Sequence, residues 1–110
     1  MTTRNGKSPR PLLEKLAGGP LTLGMAIRAT REGAEMTQAG FARKIGVTRS
    51  YLCDLEKERK TVSPARAAKF ARVLGFPEQQ YVRLALQDGL RRAGLSYAVE
   101  IRAVRVRAGR

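Results

Sequence analysis

The spacing of apolar residues predicts helices over most of the chain. Between residues 21 and 94, apolar side chains recur at intervals of three and four, which is the period of one buried helix face. Polar N-caps and glycine stops divide this stretch into short segments. We therefore predict an all-α fold in which five helices pack as a compact domain, over about residues 22–34, 37–46, 48–58, 64–75 and 77–94.

The fifth helix has an apolar stripe at intervals of three and four that we expect to face the core. Tyr81 and Leu84 widen the stripe, whose members are Val82, Leu86, Leu90 and Ala93.

The two ends of the chain do not follow the helical pattern. Residues 1–10 are rich in Ser, Pro, Asn and Gly, so we predict that they are disordered, and residues 11–16 could form a short helical turn that ends before Pro20. Residues 97–104 alternate apolar and polar side chains, which is typical of a strand. A lone strand is not stable in isolation. This segment therefore pairs with a second copy, pairs with another partner, or is disordered. The predicted organisation is an arm over 1–20, a domain over 21–96 and a tail over 97–110.

The net charge of the 110-residue chain is +13, from 22 Lys and Arg against nine Asp and Glu. Such a charge predicts attraction to polyanions: nucleic acid, an anionic membrane surface or an acidic protein. The arm and the tail each carry +3, so about half of the excess lies at the ends. With no His and one Cys, we expect no metal site, no cofactor, no disulfide and no enzymatic activity. Short apolar runs and a charged N-terminus favour a cytoplasmic protein without a membrane partner.

The most informative stretch is residues 36–60, MTQAGFARKIGVTRSYLCDLEKERK. A small residue, Ala42, stands where two helices would approach closely, and Gly46 follows where the backbone must turn. Apolar residues at Ile45, Leu52 and Leu55 would fix the angle between the helices. This spacing matches a helix-turn-helix motif over about residues 37–57.

Residues 23–75 resemble the helix-turn-helix domain of the lambda-repressor/Cro, or XRE-type, family. The similarity lies in the run Thr-Gln, Ala, Gly, Val-Thr-Arg, Leu and Glu within residues 37–56. Arg31 and Glu56 also match a structural ion pair common in that family. One departure is Glu35, which stands where many members have the glycine that ends helix 1, leaving that role to Gly33. The resemblance implies a five-helix DNA-binding domain of bacterial or phage type.

The resemblance also implies roles at DNA for individual residues. Arg49 and Ser50, in the first turn of helix 3, would meet base edges in the major groove, with Arg49 bidentate to guanine. Asp54, one turn later, could accept a hydrogen bond from cytosine. Residues expected to hold the DNA backbone are Gln38, Arg43, Lys44, Thr48, Tyr51, Lys57 and Lys60.

Simpler structural roles remain open for three of the residues near the predicted interface. Tyr51 could merely cover the outside of helix 3. Asp54 could be a solvated charge or pair with a nearby Arg. Cys53 fits a half-buried small residue better than a redox sensor, because no second Cys could resolve an oxidised form.

The favoured function is a dimeric repressor that reads a palindromic operator in double-stranded DNA, since one such domain contacts a single half-site. The apolar face of helix 5 and residues 97–104 are the candidate homodimer surfaces. The alternative is an antitoxin that binds a toxin protein and represses its own operon. A non-specific RNA-binding or scaffold protein is the third possibility.

Overall fold

The computed structural model describes residues 21–105 of the chain. Five α-helices follow in order, and these residues form no strand: α1 (Leu23–Gly33), α2 (Gln38–Ile45), α3 (Arg49–Glu56), α4 (Pro64–Leu74) and α5 (Glu78–Arg92). The predicted all-α, five-helix domain is confirmed. The predicted disorder and helical turn within residues 1–20 lie outside the described residues. Within residues 21–105, no helix combines the length and apolar character needed to cross a bilayer.

The first four helices begin at the hydroxyl caps that their sequences supply. In each, the cap oxygen accepts the backbone N–H three residues later, which satisfies one unpaired donor of the first turn. The caps are Thr22, Thr37, Thr48 and Ser63. The start of α1 has a second partner, since Asp88 of α5 accepts the N–H of Leu23 at 3.1 Å. This long-range bond ties the two ends of the domain together.

The hydrophobic core draws on all five helices. α1 packs against α3 and α5, α2 packs against α3 and α4, and α4 packs along α5. The largest fully buried side chains are Ile27, Phe41, Leu52, Leu55, Phe70, Tyr81 and Leu84. The Tyr81 hydroxyl lies 3.0 Å from the hydroxyl of Thr30, so its polar atom is satisfied. Burial raises the pKa of Tyr81 above its usual value, although the Thr30 hydrogen bond opposes the shift.

The predicted inward face of the fifth helix is only partly correct, since Tyr81 and Leu84 are buried as expected but the stripe of Val82, Leu86, Leu90 and Ala93 is not. The residues of α5 that reach the core are Tyr81, Leu84 and Ala85, whereas Leu86 is exposed and Leu90 only half-buried. Both stripes have helical spacing, so periodicity alone did not distinguish them. Packing against α4 and α1 selected the stripe that contains the large aromatic ring. Leu86 and Leu90 instead line an apolar groove beside the C-terminal tail.

The end of α1 also differs from expectation. Glu35, not Gly33, adopts the left-handed conformation, with φ of 56°. The helix ends at Gly33, and the N–H of Met36 then bonds back to the carbonyl of Arg31 at 3.2 Å. This reversal requires a left-handed residue two positions after the helix end, and Glu35 occupies that position at the cost that a Cβ imposes there.

α1 and α3 approach so closely that a glycine is needed between them. A Cβ placed on Gly24 would overlap the backbone carbonyl oxygen of Leu55 and lie 3.3 Å from its carbon. The need for glycine at this position was not predicted from the sequence. A single glycine inside an apolar helical pattern has no local signature for close packing against a helix 30 residues later.

The predicted strand over residues 97–104 is not confirmed. The described part of the tail has no regular secondary structure, and it lies against α5 through bonds to two glutamine side chains. Val99 and Ile101 are half-buried, whereas Ala98, Glu100 and Arg102 are exposed. The alternation in the sequence therefore corresponds to one face turned toward the domain.

Candidate nucleic-acid interface

α2 and α3 form a rigid unit around a tight turn. Ala42 and Ile45 of α2 are buried against Leu52 and Leu55 of α3. Between the helices, Gly46 has φ of 80°, a conformation that residues with a Cβ rarely adopt. The N–H of Val47 then bonds to the carbonyl of Ala42 at 2.9 Å, which closes the end of α2. α3 is thereby held with its apolar side inward.

An ion pair fixes the position of α3 relative to α1. Arg31 Nε lies 2.7 Å from Glu56 Oε2, and its Nη2 donates to Glu56 Oε1 at 3.0 Å. Only 4% of the Glu56 side chain and 14% of the Arg31 side chain are exposed. Arg31 Nη1 also donates to the carbonyl of Met36. This bidentate geometry is rigid as well as strong, so it orients the whole of α3.

Gln38 completes this polar cluster at the start of α2. Its Nε2 donates to Glu56 Oε1 at 3.1 Å. Burial raises the pKa of Glu56, but the hydrogen bonds from Arg31 and Gln38 and the Arg31 charge outweigh it, so the pKa lies below its ordinary value. The Gln38 side chain, expected at a DNA phosphate, is thus engaged with Glu56, although its second amide proton and its oxygen remain to be used.

The outward side of α3 begins with two exposed residues, Arg49 and Ser50. Within residues 21–105, Arg49 forms no ion pair, so its guanidinium is available to a ligand. Thr48 accepts the N–H of Tyr51 at 3.0 Å through its hydroxyl oxygen and keeps the hydroxyl proton for donation to a ligand. Its role in the folded chain is therefore that of a helix cap.

Asp54 lies between two cations rather than presenting a free carboxylate. Its Oδ1 is 3.6 Å from an Arg59 nitrogen and its Oδ2 is 3.8 Å from Lys60 Nζ. The Asp54 carbonyl also accepts the N–H of Arg59 at 2.8 Å. This is the pairing that the sequence left open as an alternative to base contact, and it holds the segment after α3 close to the helix.

Two cationic side chains lie against the ring of Tyr51. Arg66 of α4 stacks 4.9 Å from the centre of its ring and donates to its hydroxyl at 3.2 Å, and Lys60 Nζ lies 5.5 Å from the same centre. Cation–π contacts of this kind hold charged side chains over an aromatic ring. Arg66 was not among the predicted site residues. The Ser63-Pro64 helix start placed it in the first turn of α4, but not beside Tyr51.

The other predicted backbone contacts, Arg43, Lys44 and Lys57, are exposed. Cys53 is half-buried on α3 as a free thiol. The structure thus places cationic side chains on α3, on the segment that follows it and in the first turn of α4. These side chains are Arg49, Lys57, Arg59, Lys60 and Arg66.

Comparison with known proteins agrees with this geometry. A family model described as helix-turn-helix matches residues 27–80, from α1 into α5. Residues 27–80 of this chain therefore carry a helix-turn-helix domain, similar to that of the lambda-repressor/Cro family. The immunity repressor protein of Bacillus phage phi105 is 36% identical over 56 residues, which are 51% of this chain and 39% of the repressor. The chain thus aligns with less than half of that protein's length.

A solved structure, that of the hypothetical transcription factor NHTF from Neisseria, is also similar to this chain. It is 27% identical, with a TM-score of 0.49, and the match covers 64% of this chain and 79% of NHTF. The family match includes Arg31, Glu56 and the whole of α2 and α3. The residues 97–105 that lie along α5 are outside it.

Proposed function

We propose that this protein is a transcriptional regulator that binds double-stranded DNA by sequence, and that it acts as a dimeric repressor of a palindromic operator. In helix-turn-helix domains, the second helix of the motif enters the major groove and its first residues contact base edges. Here that helix is α3, and its first turn carries Arg49 and Ser50.

The observation that carries this proposal is the contrast between the two sides of α3. Leu52, Leu55 and Glu56 are buried and fix the helix to α1 and α2. Arg49 and Ser50 are exposed at its N-terminal end. A rigid helix with one free guanidinium at its start suits bidentate recognition of guanine, which needs defined geometry.

We assign the contacts with DNA phosphates to the cationic side chains around α3. Lys57, Lys60 and Arg66 flank α3, and Tyr51 holds two of them in place. Phosphate contacts supply affinity that is independent of sequence and falls as salt rises. Arg43, Lys44 and Thr48 belong to the same proposed group. Gln38 would contact a phosphate through the part of its amide that Glu56 leaves free.

Asp54 has two proposed roles that an experiment separates. In the free protein it restrains Arg59 and Lys60. If it also accepts from cytosine, an Asp54→Asn variant would change the preferred base at one position. If it only restrains the two cations, the variant would alter affinity equally for all sequences.

The decisive experiment selects genomic fragments with the purified wild-type protein and then measures binding of variants to the selected site and to unrelated DNA. Arg49→Ala should lose discrimination by roughly 5- to 150-fold, the worth of one bidentate base contact, while keeping most non-specific binding. Arg72→Ala is the control, because it removes one Arg from α4 six residues beyond Arg66, where the guanidinium pairs with Glu78 at 2.9 Å. An Arg49→Ala variant that discriminates as well as the Arg72→Ala variant would refute the assignment.

The second candidate function, an antitoxin, is favoured by a single observation. The outer side of residues 97–102 makes no hydrogen bond within the described chain, so it could accept a segment of another protein. A small toxin gene directly adjacent to this gene would support that function. A gene transcribed alone would count against it.

A further inference from the structure

The C-terminal tail is held along α5 by a glutamine that takes the place of a neighbouring strand. Gln87 Nε2 donates to the carbonyl of Tyr97 at 2.7 Å, and Gln87 Oε1 accepts the N–H of Val99 at 2.8 Å. A side-chain amide carries the same donor and acceptor as a peptide group. In a β-ladder, one residue's carbonyl and the N–H two residues later point to the same side. Gln87 therefore binds residues 97–99 as a strand would.

A second glutamine of α5 bonds the tail further along the chain, and the spacing of the two glutamines matches the spacing of the residues that they bind. Gln79 Nε2 donates to the carbonyl of Ile101 at 2.9 Å. Gln79 and Gln87 are eight residues apart on α5, which is about 12 Å along a helix. Tyr97 and Ile101 are four residues apart, which is about 13 Å along an extended chain. The agreement shows that residues 97–101 run extended and antiparallel to α5.

This arrangement leaves one edge of the extended segment open. The backbone groups of Tyr97, Val99 and Ile101 that the glutamines bind face α5. Within residues 21–105, the N–H and C=O groups of Ala98, Glu100 and Arg102 have no hydrogen-bond partner. An open edge of this kind is a template for pairing with another strand.

The charges on the open edge match those of a second copy in one register. When a two-fold axis relates two identical antiparallel strands, one central residue c lies opposite the same residue of the other copy. Residue i of one copy then lies opposite residue 2c − i of the other. Centring on Ile101 puts Glu100 of each copy opposite Arg102 of the other, twice. Centring on Glu100 or on Arg102 instead puts two like charges directly opposite each other, which is destabilising. The sequence thus complements itself in the Ile101 register.

We propose that residues 97–105 pair with the same residues of a second copy as an antiparallel two-stranded ribbon centred on Ile101, with each strand backed by its own α5. This ribbon rests on the dimer proposed above and specifies the surface and the register through which the two copies pair. A free two-stranded ribbon is marginal in water. Here each strand is already held by Gln79 and Gln87, so little chain ordering remains to oppose pairing.

A charge-exchange series tests the register by the mass of the protein in solution. Light scattering or sedimentation of the full chain should give a dimer for the wild type. Glu100→Arg and Arg102→Glu each create two like-charge pairs, and each should raise the dimer dissociation constant roughly tenfold or more. The variant with both substitutions restores opposite charges and should dimerise like the wild type. Loss of dimer without recovery in the double variant would overturn the Ile101 register.

Disulfide trapping gives a second measurement that does not depend on affinity, in a chain with Cys53→Ala as background. Opposed residues in a non-hydrogen-bonded pair have Cα atoms about 4.5 Å apart, within the range of a disulfide. Ile101→Cys should therefore form a covalent dimer on mild oxidation. Val99→Cys is the matched control, since its two copies would lie about 13 Å apart along the ribbon. Equal trapping of both variants, or trapping of neither, would overturn the proposal.

The two proposals fail in distinguishable ways. A wild-type protein that is monomeric in solution and binds its selected DNA site as a monomer would overturn the ribbon. Loss of discrimination in Arg49→Ala would still support DNA reading by α3 in that case. A monomer that acquires protection at Glu100 only with a different protein would likewise overturn pairing between copies.

Discussion

Replacing Gly24 by Ala tests whether α1 and α3 must approach as closely as the structure shows. The added methyl group would overlap the carbonyl oxygen of Leu55 and approach Glu58 Cγ to 3.4 Å. The obstructing atom belongs to the backbone, and the same oxygen accepts the N–H of Glu58 at 3.0 Å. The clash is therefore relieved only if the two helices separate, by on the order of 1 Å to restore ordinary contact.

The expected cost follows from two opposing effects. Ala favours a helix over Gly by roughly 0.5–1 kcal/mol. Forcing an extra methyl group into a packed site costs roughly 1–3 kcal/mol, and the upper part of that range applies when backbone must move. We expect Gly24→Ala to lower the free energy of unfolding by about 1–2 kcal/mol. For a domain of this size, the midpoint of thermal unfolding should fall by roughly 5–15 °C.

Urea and thermal unfolding followed by circular dichroism measure this change. Gly89→Ala is the matched control, because it makes the same substitution in α5 where an added Cβ meets nothing within 4 Å. That variant should be more stable than the wild type by roughly 0.5–1 kcal/mol. The reasoning is refuted if Gly24→Ala is as stable as Gly89→Ala.

Three further outcomes follow from single residues. Glu35→Gly should stabilise the domain by roughly 1 kcal/mol in urea unfolding, because Glu35 has φ of 56°; an unchanged midpoint would contradict this. Glu56→Gln should cost roughly 2 kcal/mol near neutral pH. The pKa of Glu56 is lowered in the folded protein, so its ionised form stabilises the fold above the unfolded pKa of ~4.3. This stability is lost as pH falls through the folded pKa. Glu56→Gln should therefore lose less stability on acidification than the wild type. Gln87→Ala should speed hydrogen exchange of the Val99 amide; unchanged exchange would show that Gln87 does not hold the tail.

Much of the fold could be predicted because its signals are local. Thr37, Thr48 and Ser63 cap helices through bonds to residues only three positions away, and Gly46 ends α2 through its own backbone conformation. These interactions involve neighbours in the chain, so the sequence expresses them directly. The exposure of Arg49 at the start of α3 follows from the same local pattern.

The parts that could not be predicted depend on contacts between distant segments. The core face of α5 could not be chosen by periodicity, since Leu86 and Tyr81 lie on stripes of equal spacing. The stacking of Arg66 on Tyr51 and the bond from Leu23 to Asp88 join residues 15 and 65 positions apart. No local pattern in the sequence links residues so far apart, so neither contact was predicted.

The sequence by itself determined the number of helices, their caps and the position of the helix-turn-helix motif, because each depends on backbone propensity and hydrophobic spacing within a few residues. Only the tertiary structure decided that Gly24 must lack a side chain, that Asp54 is held by Arg59 and Lys60, and that the alternating tail lies on glutamines of α5. Those outcomes depend on how closely separate helices pack and on which polar groups remain to be satisfied once they do.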